Sequence, residues 1–373
     1  MSDDTEDKAR AATIFDVARL AGVSHQTVSR VVNELPNVRP ATRQRVEHAI
    51  QQLRYRPSPA ARALVTRRSR TIGLITSGGA DFGPSSISLS FNRAAREARY
   101  AVSIASIVEH DPTSMRSALE LLVRQNVEAI VLIAARTSMI DEAQSIEVGV
   151  PLVATASADR SGLHTVSIDH YSGARLAVRH LIELGHREIR HLSGPADSID
   201  AAERVRGWRD ELAAHRLRVV EPAVGDWTPS SGYRFGLELA ADIARDASAS
   251  GASSAAVVGS TGLLGPTARS GSSALDRATG VFSGNDQMAL GLVHAITSAG
   301  LTAPRDLSIV GFDDIPEAEH FLPPLTTLRQ DFTGFGRDLM STVLAVLGDT
   351  DASDPAPRVP ELVVRDSTAR PRT

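Results

Sequence analysis

Near the N-terminus the apolar positions recur at helical spacing. Ile14, Val17, Ala18 and Ala21 mark one face of a first helix. Thr13 with Asp16 resembles a capping pair at its start, and Gly22 suits its end because a positive φ costs glycine little. Val28, Val31 and Val32 mark a second helix behind Ser24, which can cap it. A third helix starts near Pro40, with Val46, Ile50 and Leu53 facing inward and Arg43 and Arg45 outward. Two short helices separated by a Gly-containing turn of about three residues form a helix-turn-helix pattern.

From Thr71 onward the rhythm changes to short apolar, β-branched runs. They cover 71–77, 101–108, 129–135, 151–157, 189–194, 280–284, 307–313, 326–331 and 361–365. Helical stretches lie between most of them, such as Tyr171–Leu184 before Gly185 and Asp286–Ala299 before Gly300. This alternation predicts parallel sheets with helices on both faces, and ligands on such sheets bind beyond the carboxyl ends of the strands. Two stretches break the pattern. Pro57 to Leu64 combines two prolines with small residues and is a poor independent helix. In 246–277, 20 of 32 residues are Ala, Ser or Gly, which predicts a flexible surface insertion.

Composition narrows the class. At 373 residues the chain fits two or three units, and no apolar run approaches the roughly 20 residues of a membrane span. The polar opening MSDDTEDKAR is no signal peptide, so a cytoplasmic location is expected. Cysteine is absent, which excludes disulfides, thiol catalysis and Cys-ligated metals. The net charge of −4 hides an asymmetry: residues 9–70 hold twelve Arg against Asp16, Glu34 and Glu47. Residues 71–373 hold 27 basic and 37 acidic groups. A basic head on an acidic body fits phosphate binding by the head.

A helix-turn-helix places the start of its second helix in the DNA major groove. Here that start is Ser24, His25, Gln26 and Thr27, with Arg30 one turn later. Gln pairs with adenine, Arg with guanine, and His donates or accepts at a base edge. Ser24, Thr27, Ser29 and Asn33 are short hydrogen-bonders suited to phosphates. In the remainder, polar residues gather at strand ends: Ser77, Asp81 and Ser85, then Arg204, Trp227, Asn285 with Asp286, Asp313 with Asp314, and Gln330. Carboxylates, amides, a guanidinium and an indole make a usual sugar site, although Asn285 and Asp286 also suit helix caps.

The segments TIFDVARLAGVSHQTVSRVVN and TRQRVEHAIQQLRYRP resemble the head of the LacI/GalR family of bacterial transcriptional regulators. LSGP, ERVRGW, GDWTPSSGY, SGNDQMALG, SIVGFDD and PPLTTLRQDF continue the resemblance in order. It implies a helix-turn-helix head joined to a periplasmic-binding-protein-like (type I) effector domain of two Rossmann-like subdomains. By it, His25, Gln26 and Arg30 read bases, Tyr55 joins the DNA contacts, and Leu64 enters the minor groove from a hinge helix that folds on DNA. Arg204, Asn285 and Asp313 hold sugar hydroxyls, and Trp227, Gln330, Phe332, Ser77, Pro84 and Ser85 line the pocket. The expected layout is a tail over 1–12, a DNA-binding domain over 13–57, a hinge over 58–70 and an effector domain over 71–373. Its subdomains are 71–168 with 331–353, and 169–330 with 354–373. Two departures stand out. Arg39 takes the place of a capping Ser, and Ala154-Thr155-Ala156 replace an acidic pocket residue, for which Asp81 is the candidate substitute.

These readings converge on a repressor that binds an inverted-repeat operator in double-stranded DNA and is released by a small sugar. A homodimer is expected, because no heptad-patterned helix follows the last strand. A purine or other corepressor is the alternative effector; a sugar-transport protein would lack the basic head. No Gly-rich dinucleotide turn, Walker lysine or Gly-x-Ser-x-Gly elbow points to an enzyme, and no cofactor is implied. His164, His170, His180, His186 and His191 match no standard metal-ligand spacing.

Overall fold

The computed structural model describes residues 12–33, 35–55, 68–77, 79, 81–107, 112–156, 163–255, 278–350 and 355–372. They form two compact units, Met1–Arg70 and Thr71–Thr373. The hinge positions around Leu64 and the tail over 1–11 lie outside the described residues.

The head is a three-helix unit: α1 (Ile14–Ala21), α2 (His25–Val32) and α3 (Pro40–Gln52). Each end has a local cause. Thr13 and Asp16 close a reciprocal capping box on α1, and Gly22 ends it in the left-handed region at φ 64°. The Ser24 side chain accepts from the Thr27 amide at 3.2 Å, capping α2. Helix α3 begins with Pro40, but Arg39 before it makes no side-chain cap bond. Val17, Val28 and Val46 are fully buried where the three helices meet. Each such valine contributes about 1.5–3 kcal/mol by leaving water.

The larger unit carries two parallel sheets. In the first, β1 (Thr71–Ser77) lies between β2 (Ala101–Ile107) and β3 (Ala129–Ile133), and β4 (Leu152–Thr155) and β5 (His164–Val166) extend it in the order β2-β1-β3-β4-β5. In the second, β6 (Ile189–Ser193), β7 (Ala223–Val224), β8 (Gly280–Ser283) and β9 (Ser308–Val310) are ordered β7-β6-β8-β9. The ribbon of β10 (Thr327–Arg329) and β11 (Glu361–Val363) is antiparallel, and bridges from Val310 to Thr326 and from Asp313 to Arg329 tie it to the second sheet.

Helices cover both faces. On the first sheet these are α4 (Phe82–Glu97), α5 (Pro112–Arg124) and α6 (Thr137–Gln144). The second has α7 (His170–Glu183), α8 (Ile199–Ala214), α9 (Pro229–Ala255) and α10 (Asp286–Ser298). Helix α11 (Phe332–Val346) returns to the first half: Phe335, Leu339, Met340 and Val343 share one buried cluster with Ile72, Leu74 and Phe91. A Cβ on Gly336 would lie 2.5 Å from the Ser90 backbone, so glycine is what lets α11 approach α4 this closely.

One expectation needs correction. The stretch 246–277, read as a flexible insertion throughout, is helical over its first ten residues, because α9 runs on to Ala255. Alanine is the best helix former, and here it extends a helix already nucleated upstream. Residues 256–277 lie outside the described ones.

Candidate functional site

On the head, helical geometry sorts the expected DNA contacts. At about 100° per residue, positions 25, 26, 29, 30 and 33 share one arc of roughly 140°, while Val28 and Val31 point the other way into the core. His25, Gln26 and Arg30 are exposed, and the His25 ring stands 5.2 Å from that of Phe15. Ser24 and Thr27 are linked by their hydroxyls at 3.0 Å as part of the cap. Asn33 donates to the Ser29 carbonyl at 2.9 Å. Tyr55 is half-buried against the head core, and burial raises its phenol pKa. Of the expected base readers, His25, Gln26 and Arg30 are thus all exposed on one arc of α2, while Ser24, Thr27, Ser29 and Asn33 bond within the helix and its cap.

In the larger unit the carboxyl ends of both sheets open on one cavity with about 770 Å³ of empty space, counted to its open mouth. The structure brings eight of the ten expected effector residues to its wall: Asp81, Pro84, Arg204, Trp227, Asn285, Asp313, Gln330 and Phe332. The other two do not reach it. Ser77 is buried at the end of β1 with its hydroxyl unpartnered, and Ser85 is exposed on α4. One step along a helix turns the side chain by about 100°, so Pro84 faces the cavity and Ser85 leaves it.

Arg204 is the centre of the site. It projects from α8 with its guanidinium carbon 3.8 Å from the Phe312 ring centre and 5.2 Å from that of Trp227. One Nη donates to the Gly284 carbonyl. The other donates to His170 Nδ1 at 3.3 Å and lies 3.9 Å from Asp313. Because arginine only donates, His170 Nδ1 is an acceptor, and Nε2 carries the hydrogen that faces Asp200 at 3.2 Å. Burial lowers the Arg204 pKa, against the pull of Asp313, Asp200 and Asp286. Burial likewise pushes the Asp313 carboxyl up to about 7, although Arg204 draws it down. Gln330 donates to Asp313 at 2.7 Å and fixes its orientation.

Around this cluster the wall is built on backbone detail. Trp227 sits at φ 68° and Asp313 at φ 120°, both in the left-handed half of backbone space, where non-glycine residues signal a functional constraint. A Cβ on Gly194 would lie 2.1 Å from the Trp227 ring and one on Gly284 3.2 Å from it. The indole is thus wedged against two glycines. Asn285 serves twice: its carbonyl oxygen caps α10 at the Met288 amide (2.9 Å), and its Nδ2 donates to the Trp227 carbonyl at 3.1 Å. Asp286 is a structural group, fully buried and accepting from Thr327 Oγ1 at 2.6 Å and the Ile315 amide at 3.0 Å.

Sequence reasoning did not find His170, Asp200 or Ser198 as wall residues. Asp200 stands four positions before Arg204 on the same helix face, a spacing that puts the two side chains together. His170 opens α7 beside its cap Asp169 and gives no such signal. The two halves also meet at the cavity rim. Arg136 pairs with Asp197 at 2.6 Å, a bridge joins Arg136 to Ser198, and Phe82 of α4 packs against the core of the second half.

A helix-turn-helix unit joined in one chain to a two-sheet unit with a cavity between its strand ends defines a ligand-responsive DNA-binding regulator. Its parts match known families in that order. Residues 13–58 match bacterial regulatory proteins of the lacI family. Residues 84–233 match the periplasmic binding proteins and sugar binding domain of the LacI family, and 178–368 match a periplasmic binding protein-like domain. The lactose operon repressor of Escherichia coli (strain K12) is 31% identical over 98% of this chain and 92% of its own length. A crystal structure of the lac repressor dimer bound to operator and the anti-inducer ONPF superposes with a TM-score of 0.80 at 28% identity, covering 96% of this chain and 100% of that one. The transcriptional regulator CelR of Thermobifida fusca is 32% identical over 97% of this chain and 99% of its own length. The chain belongs to the LacI family of transcriptional regulators. It is a DNA-binding protein and not an enzyme, and no described helix is long and apolar enough to cross a membrane.

Proposed function

We propose that this protein is a homodimeric repressor that holds an inverted-repeat operator and releases it when a sugar fills the cavity between its two sheets. His25, Gln26 and Arg30 of each head choose the operator half-site, and Leu64 of the hinge wedges the minor groove at its centre. The observation that carries the effector half is the convergence of Arg204, Asp313, Gln330, Asn285 and Trp227 on one cavity. Directional hydrogen bonds to ring hydroxyls, set beside an aromatic face for the sugar's C–H groups, are what pyranose recognition requires.

Coupling follows from the rim. Any ligand that bridges the two halves alters their relative orientation, and the hinge leaves the first half at Thr71. A ligand shifts operator affinity only by its differential affinity for the two arrangements. A 100-fold loss needs about 2.7 kcal/mol, within reach of a few charge-assisted hydrogen bonds made in one arrangement only. The test is operator binding by fluorescence anisotropy across a sugar panel. Arg204→Ala is expected to keep operator affinity and lose release by every sugar that acts on the wild type. Normal release in that variant would remove the cavity from the mechanism, and tightening by a purine would replace induction with corepression.

A further inference from the structure

We propose that the cavity selects a hydroxyl-rich ligand with no anionic group, neutral or aminated, and that Asp81 and Asp200 enforce this choice. The inference rests on the effector reading of the cavity and deepens it by naming the class of sugar.

Charge on the walls points one way. Among the described residues, three carboxylates, Asp81, Asp200 and Asp313, line the cavity with one guanidinium, that of Arg204. Arg204 is matched by Asp313 at 3.9 Å, and Arg136, whose charge reaches Asp81, is itself paired with Asp197 at 2.6 Å. His170 stands between Arg204 and Asp200, 3.3 Å from the first and 3.2 Å from the second. Neither Asp81 nor Asp200 is hydrogen-bonded to an arginine among the described residues. Asp81, at the start of α4, makes no side-chain cap bond. Asp200 engages one oxygen with His170, which leaves its other oxygen for a ligand.

The opposing consideration is the fold itself. Helix N-termini gather at strand carboxyl ends, and such termini bind phosphates through free backbone amides. Here four of those termini already carry a side-chain acceptor on one amide each. Asp169 accepts from the Ser172 amide at 2.8 Å and Ser198 from the Ala201 amide at 3.3 Å. Asn285 accepts from the Met288 amide at 2.9 Å and Asp331 from the Gly334 amide at 2.8 Å. The terminus of α4 has the Asp81 charge in front of it, and that of α6 follows Arg136, whose charge is paired with Asp197. With side-chain acceptors already on four of these termini and acidic side chains on its wall, the cavity offers acceptors to hydroxyl or ammonium hydrogens. A phosphate or carboxylate meets repulsion that is strengthened by partial desolvation.

The test is titration calorimetry on the full-length protein with matched probes: glucose, glucosamine and glucose 6-phosphate; galactose and galactose 6-phosphate; and inorganic phosphate alone. Wherever a parent sugar binds, its phosphorylated form is expected to bind at least tenfold more weakly. Inorganic phosphate is expected to bind the Asp81→Asn/Asp200→Asn double variant at least tenfold more tightly than the wild type, with unchanged circular dichroism and operator affinity confirming the fold. A phosphorylated sugar that binds as tightly as its parent overturns the inference. So does the absence of any gain for phosphate in the double variant. Failure of every sugar, together with the gain for phosphate, would instead overturn the sugar reading and leave the charge selection standing.

Discussion

Replacing Gly194 by alanine should disable the effector site while leaving the head untouched. The new Cβ would stand 2.1, 2.2 and 2.5 Å from Cζ2, Cη2 and Cε2 of Trp227, where carbon atoms settle at about 3.5–4.0 Å. The indole must retreat by more than about 1 Å, and Gly284 blocks one route, since even its absent Cβ would be 3.2 Å from the ring. Overpacking of this kind costs about 1–3 kcal/mol, small against the stability of a domain but enough to move an aromatic wall into the cavity. The chain has two tryptophans, and Trp208 is fully buried. A Trp208→Phe background therefore isolates the emission of Trp227. In that background Gly194→Ala should shift the Trp227 emission maximum and abolish sugar-driven release in the anisotropy assay, with operator affinity retained. Unchanged emission together with normal release would refute the wedge.

The remaining predictions follow from single observations. Arg39 leaves the α3 amides without a side-chain cap, so Arg39→Ser should stabilise the head by about 1 kcal/mol in urea denaturation. Arg30 is exposed on the arc that it shares with His25 and Gln26, and in the proposed base-reading role Arg30→Ala should cost about 1–3 kcal/mol on the true operator and relax preference at one position per half-site, read by binding-site selection. Burial raises Asp313 from an ordinary value near 4 to about 7, so between those values the folded carboxyl keeps a proton that the unfolded one has lost. Stability should thus fall as pH rises through that window, and Asp313→Asn should flatten the fall when denaturation is compared at pH 5 and pH 8.

How much of this was legible beforehand depends on the physics of each element. Runs such as 71–77 and 129–133 stand out because strands buried on both faces are continuously apolar. The three-residue β5 and two-residue β7 are too short to impose any pattern. Eight residues of the cavity wall followed from the strand-end rule together with the family resemblance, Arg204, Trp227 and Asp313 among them. That rule names the end of a strand and not the rotation of the helix after it, which is why Ser85 was included and Asp200 was not. His170 became visible only through its bonds to Arg204 and Asp200, contacts between helices that begin 29 positions apart in the chain.

The return of α11 has a consequence for biosynthesis. The first sheet is complete once residue 166 has been made, yet its buried cluster borrows Phe335, Leu339, Met340 and Val343 from near the end of the chain. A nascent chain therefore exposes the apolar surface beside Ile72 and Leu74 while the whole second half is synthesised. Domains that finish early escape such an interval. Here the order of the chain obliges the first half to wait for the last helix, so a protein interrupted before α11 would be an aggregation-prone fragment and not a smaller sensor.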